Sequence, residues 1–199
     1  MRCEDISTHP DFRPLSSIAG IAIDLRYVGA DNFAGCSVYG DLDCAWLHRH
    51  AAAGLEAAAL WLGRQQEPCT LQVFDALRPH RAQEFLWNIL EGTDLRQYLA
   101  DPARGSIHSF GMAVDVGLLD KFGRPLDMGT GFDDMRVLSH PALEQQHLEM
   151  GLLSEAQIAN RMLLRTAMQG SGFRGIRSEW WHFDFGDRDL VRKQYTRID

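Results

Sequence analysis

From Gly20 to Val28 the chain alternates apolar and polar positions, GIAIDLRYV, the period-two pattern of a strand with one buried face. The stretch that follows, ADNFAGCSVYGDLD, carries the Gly, Asn and Asp of an irregular loop. Between about Asp43 and Gln66 the period changes. Leu47, Ala51, Leu55, Ala58 and Trp61 recur at helical spacing in an Ala- and Leu-rich run, which predicts one long packed helix. TLQVFDAL (70–77) reads as the next strand, closed by Arg78-Pro79 because proline brings no N–H to a ladder, and HRAQEFLWNILEG reads as the helix after it.

A loop, ADPARGS, leads into IHSFGMAVDVGLLD, where Met112, Val114, Val116 and Leu118 share one face of a strand and Ala113, Asp115 and Gly117 the other. Asp115 therefore points away from the apolar face. Residues 120–141 form a long Gly-, Pro- and Asp-rich loop of the kind that is often functional in a compact domain. Ser154 with Gln157 makes a capping box for EAQIANRMLLRTAMQ, Gly170 stops that helix, and FRGIRSEWWHFDFGD supplies the last strand. The elements do not alternate as in a doubly wound fold. The prediction is one α+β domain over residues 1–199, a mostly antiparallel sheet flanked by helices.

Composition narrows the function classes. The chain has 199 residues, 45% hydrophobic and 24% charged, which suits a globular domain with one sizeable core, and it contains no long apolar run that would span a membrane. The opening MRCEDISTHPDFRPL lacks the apolar segment of a secretory signal, so a cytoplasmic location is expected. A formal charge of −7 argues against a nucleic-acid partner and leaves a small molecule as the expected one, with homo-oligomerisation open. Cys3, Cys36, Cys44 and Cys69 show no paired or zinc-finger spacing and read as reduced thiols; a Cys36–Cys44 bridge is the alternative in an oxidising compartment.

The chemistry concentrates in SEWWHFDF (178–185), where Glu179 and His182 stand among large rings, and in IHSFGMAVD, which holds His108 and Asp115. Two histidines and a carboxylate match a catalytic zinc site, which uses three protein ligands and keeps a fourth position open. His108 and Asp115 lie seven residues apart, about 23 Å in an extended strand, so they meet only if the chain turns at Ser109-Phe110-Gly111. Glu179 and His182 differ in parity, and a bulge or a strand beginning near Trp180 would bring both to one site. With His108, Asp115 and His182 as ligands, Glu179 remains as an unligated general base. Taken singly, each residue has a plainer reading: a structural histidine, a solvated aspartate, a core aromatic pair. His140 reads as a loop histidine before Pro141; His48, His50 and His147 fall in helical patterns, and Trp46, Trp61 and Trp87 are explained by packing. No G-x-S-x-G motif supports serine catalysis.

SIHSFGMAVDV resembles the S-x-H-x-x-G-x-A-x-D signature of the LAS-type zinc D-peptidases, and SEWWHFDF resembles their E-x-W-H. IDLRYVGADNFAG, FDALRPHRA, DMGTGFDDM and SGFRGIRSEWWH are similar, in order and over nearly the whole chain, to the VanX-type D-alanyl-D-alanine dipeptidases. The resemblance implies a LAS/hedgehog-like zinc peptidase fold. It also implies one Zn2+ per chain on His108, Asp115 and His182, Glu179 as catalytic base, and Arg78 as the cation that stabilises the oxyanion. Asp75 would orient Arg78 and is grouped with the substrate-binding residues Tyr27 and Asp133, near the substrate amino group, and Ser106, near its carboxylate. Ile107 and the run DDMRVLSHP depart from the family pattern, which bears on the fine specificity of the pocket and not on the metal chemistry.

The expected activity is hydrolysis of free D-Ala-D-Ala to two D-alanines. A D,D-carboxypeptidase or L,D-endopeptidase of the same family, acting on muropeptides, is the alternative among enzymes. A catalytically silent zinc-binding module is the alternative outside them; the pairing of Glu179 with Arg78 argues against it.

Overall fold

The computed structural model describes all residues, Met1–Asp199. A five-stranded sheet forms its centre. In chain order its members are β2 (Ile21–Ile23), β4 (Thr70–Asp75), β5 (Ala113–Leu119), β6 (Phe173–Gly175) and β7 (His182–Phe185), and across the sheet they run β2-β4-β5-β7-β6. Only β2 and β4 pair in parallel; the other pairs are antiparallel. A separate ribbon pairs β1 (Phe12–Pro14) with β3 (Trp46–His48). The helices are α1 (Arg49–Gly63), α2 (His80–Ile89), α3 (Glu144–Glu149), α4 (Glu155–Gly170) and α5 (Arg188–Gln194). The predicted α+β class and mostly antiparallel sheet are what the structure has, and no helix is long and apolar enough to cross a membrane.

α1 and α4 pack on each other and against the sheet, and together they enclose a core that includes Leu55, Leu62, Val114, Val116 and Leu164, each fully buried. The capping box at Ser154 is present, with Gln157 N–H donating to Ser154 Oγ and Ser154 N–H to Gln157 Oε1. A second apolar cluster gathers Tyr27, Tyr39, Leu77 and Leu86 beneath the loop that follows β2.

Several predicted boundaries move. The alternation at 20–28 yields a strand of three residues and then a 3-10 turn at Arg26–Val28, which buries Tyr27. Trp46–His48 is a strand rather than the start of a helix, because these residues pair with β1 before α1 begins at Arg49. The stretch 173–187 is two short strands joined by an irregular segment, not one strand. Asp115 is not on a solvated face: β5 is central and covered on both sides, so Asp115 is 3% exposed. α3 and α5 are helices that the hydrophobic pattern does not announce, being six and seven residues long. All four cysteines are free, as expected.

Candidate metal centre and active site

Antiparallel register accounts for the first two candidate ligands. Asp115 on β5 and His182 on β7 are direct cross-strand partners, so their side chains rise from the same face of adjacent strands. His182 is also the first residue of β7, which meets the requirement that a strand begin near Trp180. The bulge lies elsewhere, in β4 between Val73 and Asp75, where it shifts the register so that Asp75 opposes Asp115.

The third candidate ligand, His108, comes from a turn. Ile107–Phe110 is a single 3-10 turn ending at Gly111, whose φ of +63° reverses the chain into β5. A Cβ at Gly111 would stand 2.8 Å from His48 N and 2.9 Å from a Phe12 ring carbon, so both conformation and space require glycine. The turn is fastened by Ile198 N–H donating to Ser109 O at 2.7 Å and by Arg78 N–H donating to His108 O at 3.2 Å.

The ligand atoms are set by the partners on the far side of each ring. His108 Nδ1 lies 2.8 Å from the carbonyl of Ala76, which can only accept, so Nδ1 carries the hydrogen and Nε2 offers a lone pair. His182 Nε2 lies 2.9 Å from Asp184 Oδ1, and Asp184 also accepts from Arg188 Nε. Burial pushes the Asp184 carboxyl up, but His182 and Arg188 outweigh this and bring it down to about 2. Nε2 therefore donates, and Nδ1 faces inward.

His182 Nδ1 is 2.9 Å from Asp115 Oδ1 and 3.2 Å from His108 Nε2, and His108 Nε2 is 3.5 Å from Asp115 Oδ1. A tetrahedral ion with bonds of about 2.0–2.1 Å separates its ligand atoms by about 3.3 Å. The triangle fits that spacing. Three acceptor atoms brought this close favour a positive centre among them, a bound cation or a proton. Burial pulls His182 down, yet Asp184 and Asp115 hold it well above the imidazole range; burial pushes Asp115 up, yet the two histidines hold it well below the carboxylate range. The buried His108, Asp115 and His182 can bind a metal ion in place of that proton.

Beside the triangle lies a cavity of about 420 Å³, lined by all three ligands and by Glu179, Arg78, Tyr27, Asp133 and Ser106. Glu179 hangs from the irregular segment before β7, 9% exposed, and neither of its oxygens accepts a hydrogen bond from the protein. Burial pushes its carboxyl up to about 7, although His182 pulls the other way. The neighbouring rings serve the core instead. Trp180 donates from Nε1 to Thr130 Oγ1 at 2.8 Å, and Trp181 packs edge-on against Phe132. SEWWH is thus a core aromatic pair and a site at once.

Arg78 is held rigidly. Its Nε and Nη2 donate to Asp75 Oδ2 at 3.0 and 2.7 Å, Nη1 donates to Gln83 Oε1 at 3.0 Å, and the Tyr27 ring lies 4.9 Å from its Cζ. Nη2 also points toward Asp115 Oδ2 at 3.5 Å. Asp75 is fully buried and absent from the cavity wall. It accepts from Tyr39 Oη and Ala76 N–H and reaches the cavity only through Arg78, so its grouping with the substrate-binding residues is corrected to the positioning role.

Tyr27 Oη donates to Asp133 Oδ1 at 3.1 Å. Asp133 has a φ of +60°, the one non-glycine residue in the left-handed region, and burial followed by the proximity of Asp115 holds its carboxyl well above the usual range. Such strain persists where the surroundings fix a side chain for a purpose. The sequence pattern did not single out Asp184, Tyr39, Gln83, Arg188 or Arg192. Asp184, two residues after His182 on β7, is the one whose spacing offered a signal. His140 is on the cavity wall, edge-on to Tyr98, rather than among the ligands.

A family model described as D-ala-D-ala dipeptidase, of the M15 peptidases, matches residues 11–198. A D-alanyl-D-alanine dipeptidase of Escherichia coli strain K12 is 39% identical over 164 residues, covering 82% of this chain and 78% of its own. Proteins of the same name from Synechocystis and from Enterococcus faecalis are each 30% identical, covering 72% and 84% of this chain and 70% and 87% of theirs. With the ligand triangle, the unpartnered glutamate and the fixed arginine on one cavity, these matches show that the chain belongs to the D-ala-D-ala dipeptidase family of M15 peptidases.

Proposed function

We propose that this protein is a zinc-dependent dipeptidase that hydrolyses free D-Ala-D-Ala to two D-alanines in the cytoplasm. The observation that carries the reading is the placement of Glu179, buried and without a protein partner, in the cavity onto which the three ligand atoms converge. The names of the relatives support the choice of substrate.

A zinc ion held by His108 Nε2, Asp115 Oδ1 and His182 Nδ1 would supply Lewis acidity and bring the pKa of a water to about 7. Glu179 takes a proton from the water as its oxygen adds to the peptide carbonyl carbon. Burial raises the Glu179 carboxyl to about 7 without metal, and the charge of a bound ion would favour its ionised form, the form that accepts the proton. Arg78 donates to the oxygen of the former carbonyl as it gains negative charge. Because Asp75 and Gln83 hold the guanidinium, little reorganisation is needed at that moment, and such a donor contributes a factor of about 10² to 10³. Glu179 then passes its proton to the amide nitrogen, the C–N bond breaks, and two amino acids result.

Asp133, with Tyr27 on its other side, takes the substrate ammonium, whose charge would restore the ionised carboxylate that burial disfavours. Ser106 is the hydroxyl near the carboxylate end. The test is D-alanine release by the zinc-loaded protein from D-Ala-D-Ala, L-Ala-L-Ala and N-acetyl-D-Ala-D-Ala. Release from the free D,D-dipeptide alone supports the reading. Release mainly from the acetylated substrate makes the protein a carboxypeptidase, and release from none makes it a binding module.

A further inference from the structure

A dipeptide with both ends free is a zwitterion. A cavity that removes it from water must set a cation against the carboxylate as surely as an anion against the ammonium, since a buried charge without a partner opposes binding. Ser106 is neutral and supplies no such charge.

The guanidinium groups on the cavity wall belong to Arg78, Arg188 and Arg192. Every nitrogen of Arg78 is engaged, with Asp75 or Gln83. Arg188 is bound through Nε to Asp184, and its side chain is 48% exposed. Arg192 differs from both. Its Nε donates to Gly105 O at 3.1 Å, which fixes the guanidinium beside Ser106, and its side chain is 16% exposed. Nη1 reaches only the exposed Asp189, at 3.4 Å, and Nη2 has no partner in the protein.

α5 packs on the 3-10 turn that carries His108, so Arg192 is built into the wall of the site rather than draped across its mouth. Arg188 and Arg192 are four residues apart and share one face of α5. Burial, followed by the nearby Arg104 and Arg188, lowers the pKa of Arg192 against the pull of Asp189 and Asp184.

We propose that Arg192 is the specificity residue that receives the C-terminal carboxylate of the substrate, with the Ser106 hydroxyl alongside. The assignment rests on the dipeptidase reading. It makes the cavity a two-charge gauge, Asp133 for the ammonium and Arg192 for the carboxylate, with the reacting carbonyl between them.

The experiment compares D-Ala-D-Ala with D-Ala-D-alaninamide, which lacks the carboxylate charge, in the zinc-loaded wild type, R192Q and R192K. Gln keeps a donor for Gly105 O and removes the charge; Lys keeps the charge and loses the fork. The wild type is expected to favour the free acid in kcat/KM by about 10- to 100-fold. R192Q should lose that preference through a higher KM for the free acid, with kcat and the amide value near wild type, and R192K should fall between. Equal losses on both substrates would make Arg192 a structural prop of the Ser106 loop, and an undiminished preference in R192Q would put the carboxylate elsewhere; either overturns the assignment. A wild type that cleaves neither substrate overturns the dipeptidase reading, and this assignment with it.

Discussion

The cavity has two walls of different construction. One is the sheet: Asp115 and His182 are held opposite each other by antiparallel pairing, and His108 is held by a turn fastened to the chain after β4 and to the C-terminal segment. The other is loop: Tyr27 and Phe33 from the segment after β2, Asp133 from the long loop after β5, and Gln97–Ala100 from the stretch after α2. On the first wall, hydrogen-bonding geometry fixes the atoms to a fraction of an ångström, as ligand placement and proton transfer require. On the second, position depends on bonds made to a side chain across loops, as the Tyr27 hydroxyl and the Phe33 backbone N–H hold Asp133. We read the sheet wall as the one that does chemistry, while the loop wall, with Arg192 of α5 at the other end, chooses substrate.

The largest effect should come from Glu179, which is aligned with the sheet wall although no strand contains it. Glu179→Gln keeps size and polarity and removes the base. It should lower kcat by about 10²- to 10⁴-fold while zinc content, measured on dialysed protein, stays at the wild-type level. A Gln variant with near-normal kcat would mean that proton transfer runs through another group.

The contrast between the walls also explains what the sequence disclosed. That His108, Asp115, Glu179 and His182 come together as one candidate site was legible because ligand chemistry needs particular residue types, and because Gly111 marks a necessary turn. Their roles were not derivable from parity. The segment 176–181 is irregular, so the in/out alternation that should have separated Glu179 from His182 does not operate there. Arg78, Asp133, Tyr27 and Ser106 came only from family resemblance. The bonds that give them meaning, from Arg78 to Asp75 and Gln83, from Tyr39 to Asp75 and from Tyr27 to Asp133, join residues distant in the chain or hidden within a strand end. Arg192 was illegible for a related reason: α5 is too short to announce an amphipathic face. Helix boundaries failed where pairing overrode propensity, as at Trp46–His48, whose partner strand is more than thirty residues away.

Two intermediate effects separate the walls. Asp184→Asn weakens the acceptor that keeps the hydrogen on His182 Nε2 and the lone pair on Nδ1. It should cost about 10- to 100-fold in metal affinity, read by competition with a chelator, with little change in KM once zinc is saturating. Asp133→Asn tolerates the left-handed backbone and removes the negative charge. It should raise KM for D-Ala-D-Ala by about 10-fold or more, reduce the discrimination against the N-acetyl substrate, and leave metal affinity unchanged. If Asp184→Asn changes substrate choice, or Asp133→Asn releases metal, the division between the walls is wrong.

The smallest effect concerns stability, and it cuts across both walls. Without metal, Glu179 at about 7, together with Asp133 and His182 well above their ordinary ranges, keeps protons in the fold that the unfolded chain would release. A raised pKa contributes stability that is complete below the unfolded value, about 4 for the carboxyls and about 6.5 for the imidazole. That contribution drains away as pH climbs through the folded value. Asp115 is depressed and acts in the opposite sense, but its contribution is already complete above about pH 4 and adds no slope beyond it. His48, lowered to about 4 by burial, and His140, also lowered by burial, act in the opposite sense up to about pH 6.5, so the window free of them lies above it. Chelator-treated protein should therefore lose Tm as pH rises from about 6.5 to about 8, by a few °C. Zinc-loaded protein should lose less, because the ion takes the place of the shared proton and its charge favours the ionised neighbours. Asp133→Asn should remove the loop wall's share of the slope and leave the rest. A metal-free Tm that rises over this range would show that these groups do not hold their protons, and the account of the triangle as three acceptors around one positive centre would fail with it.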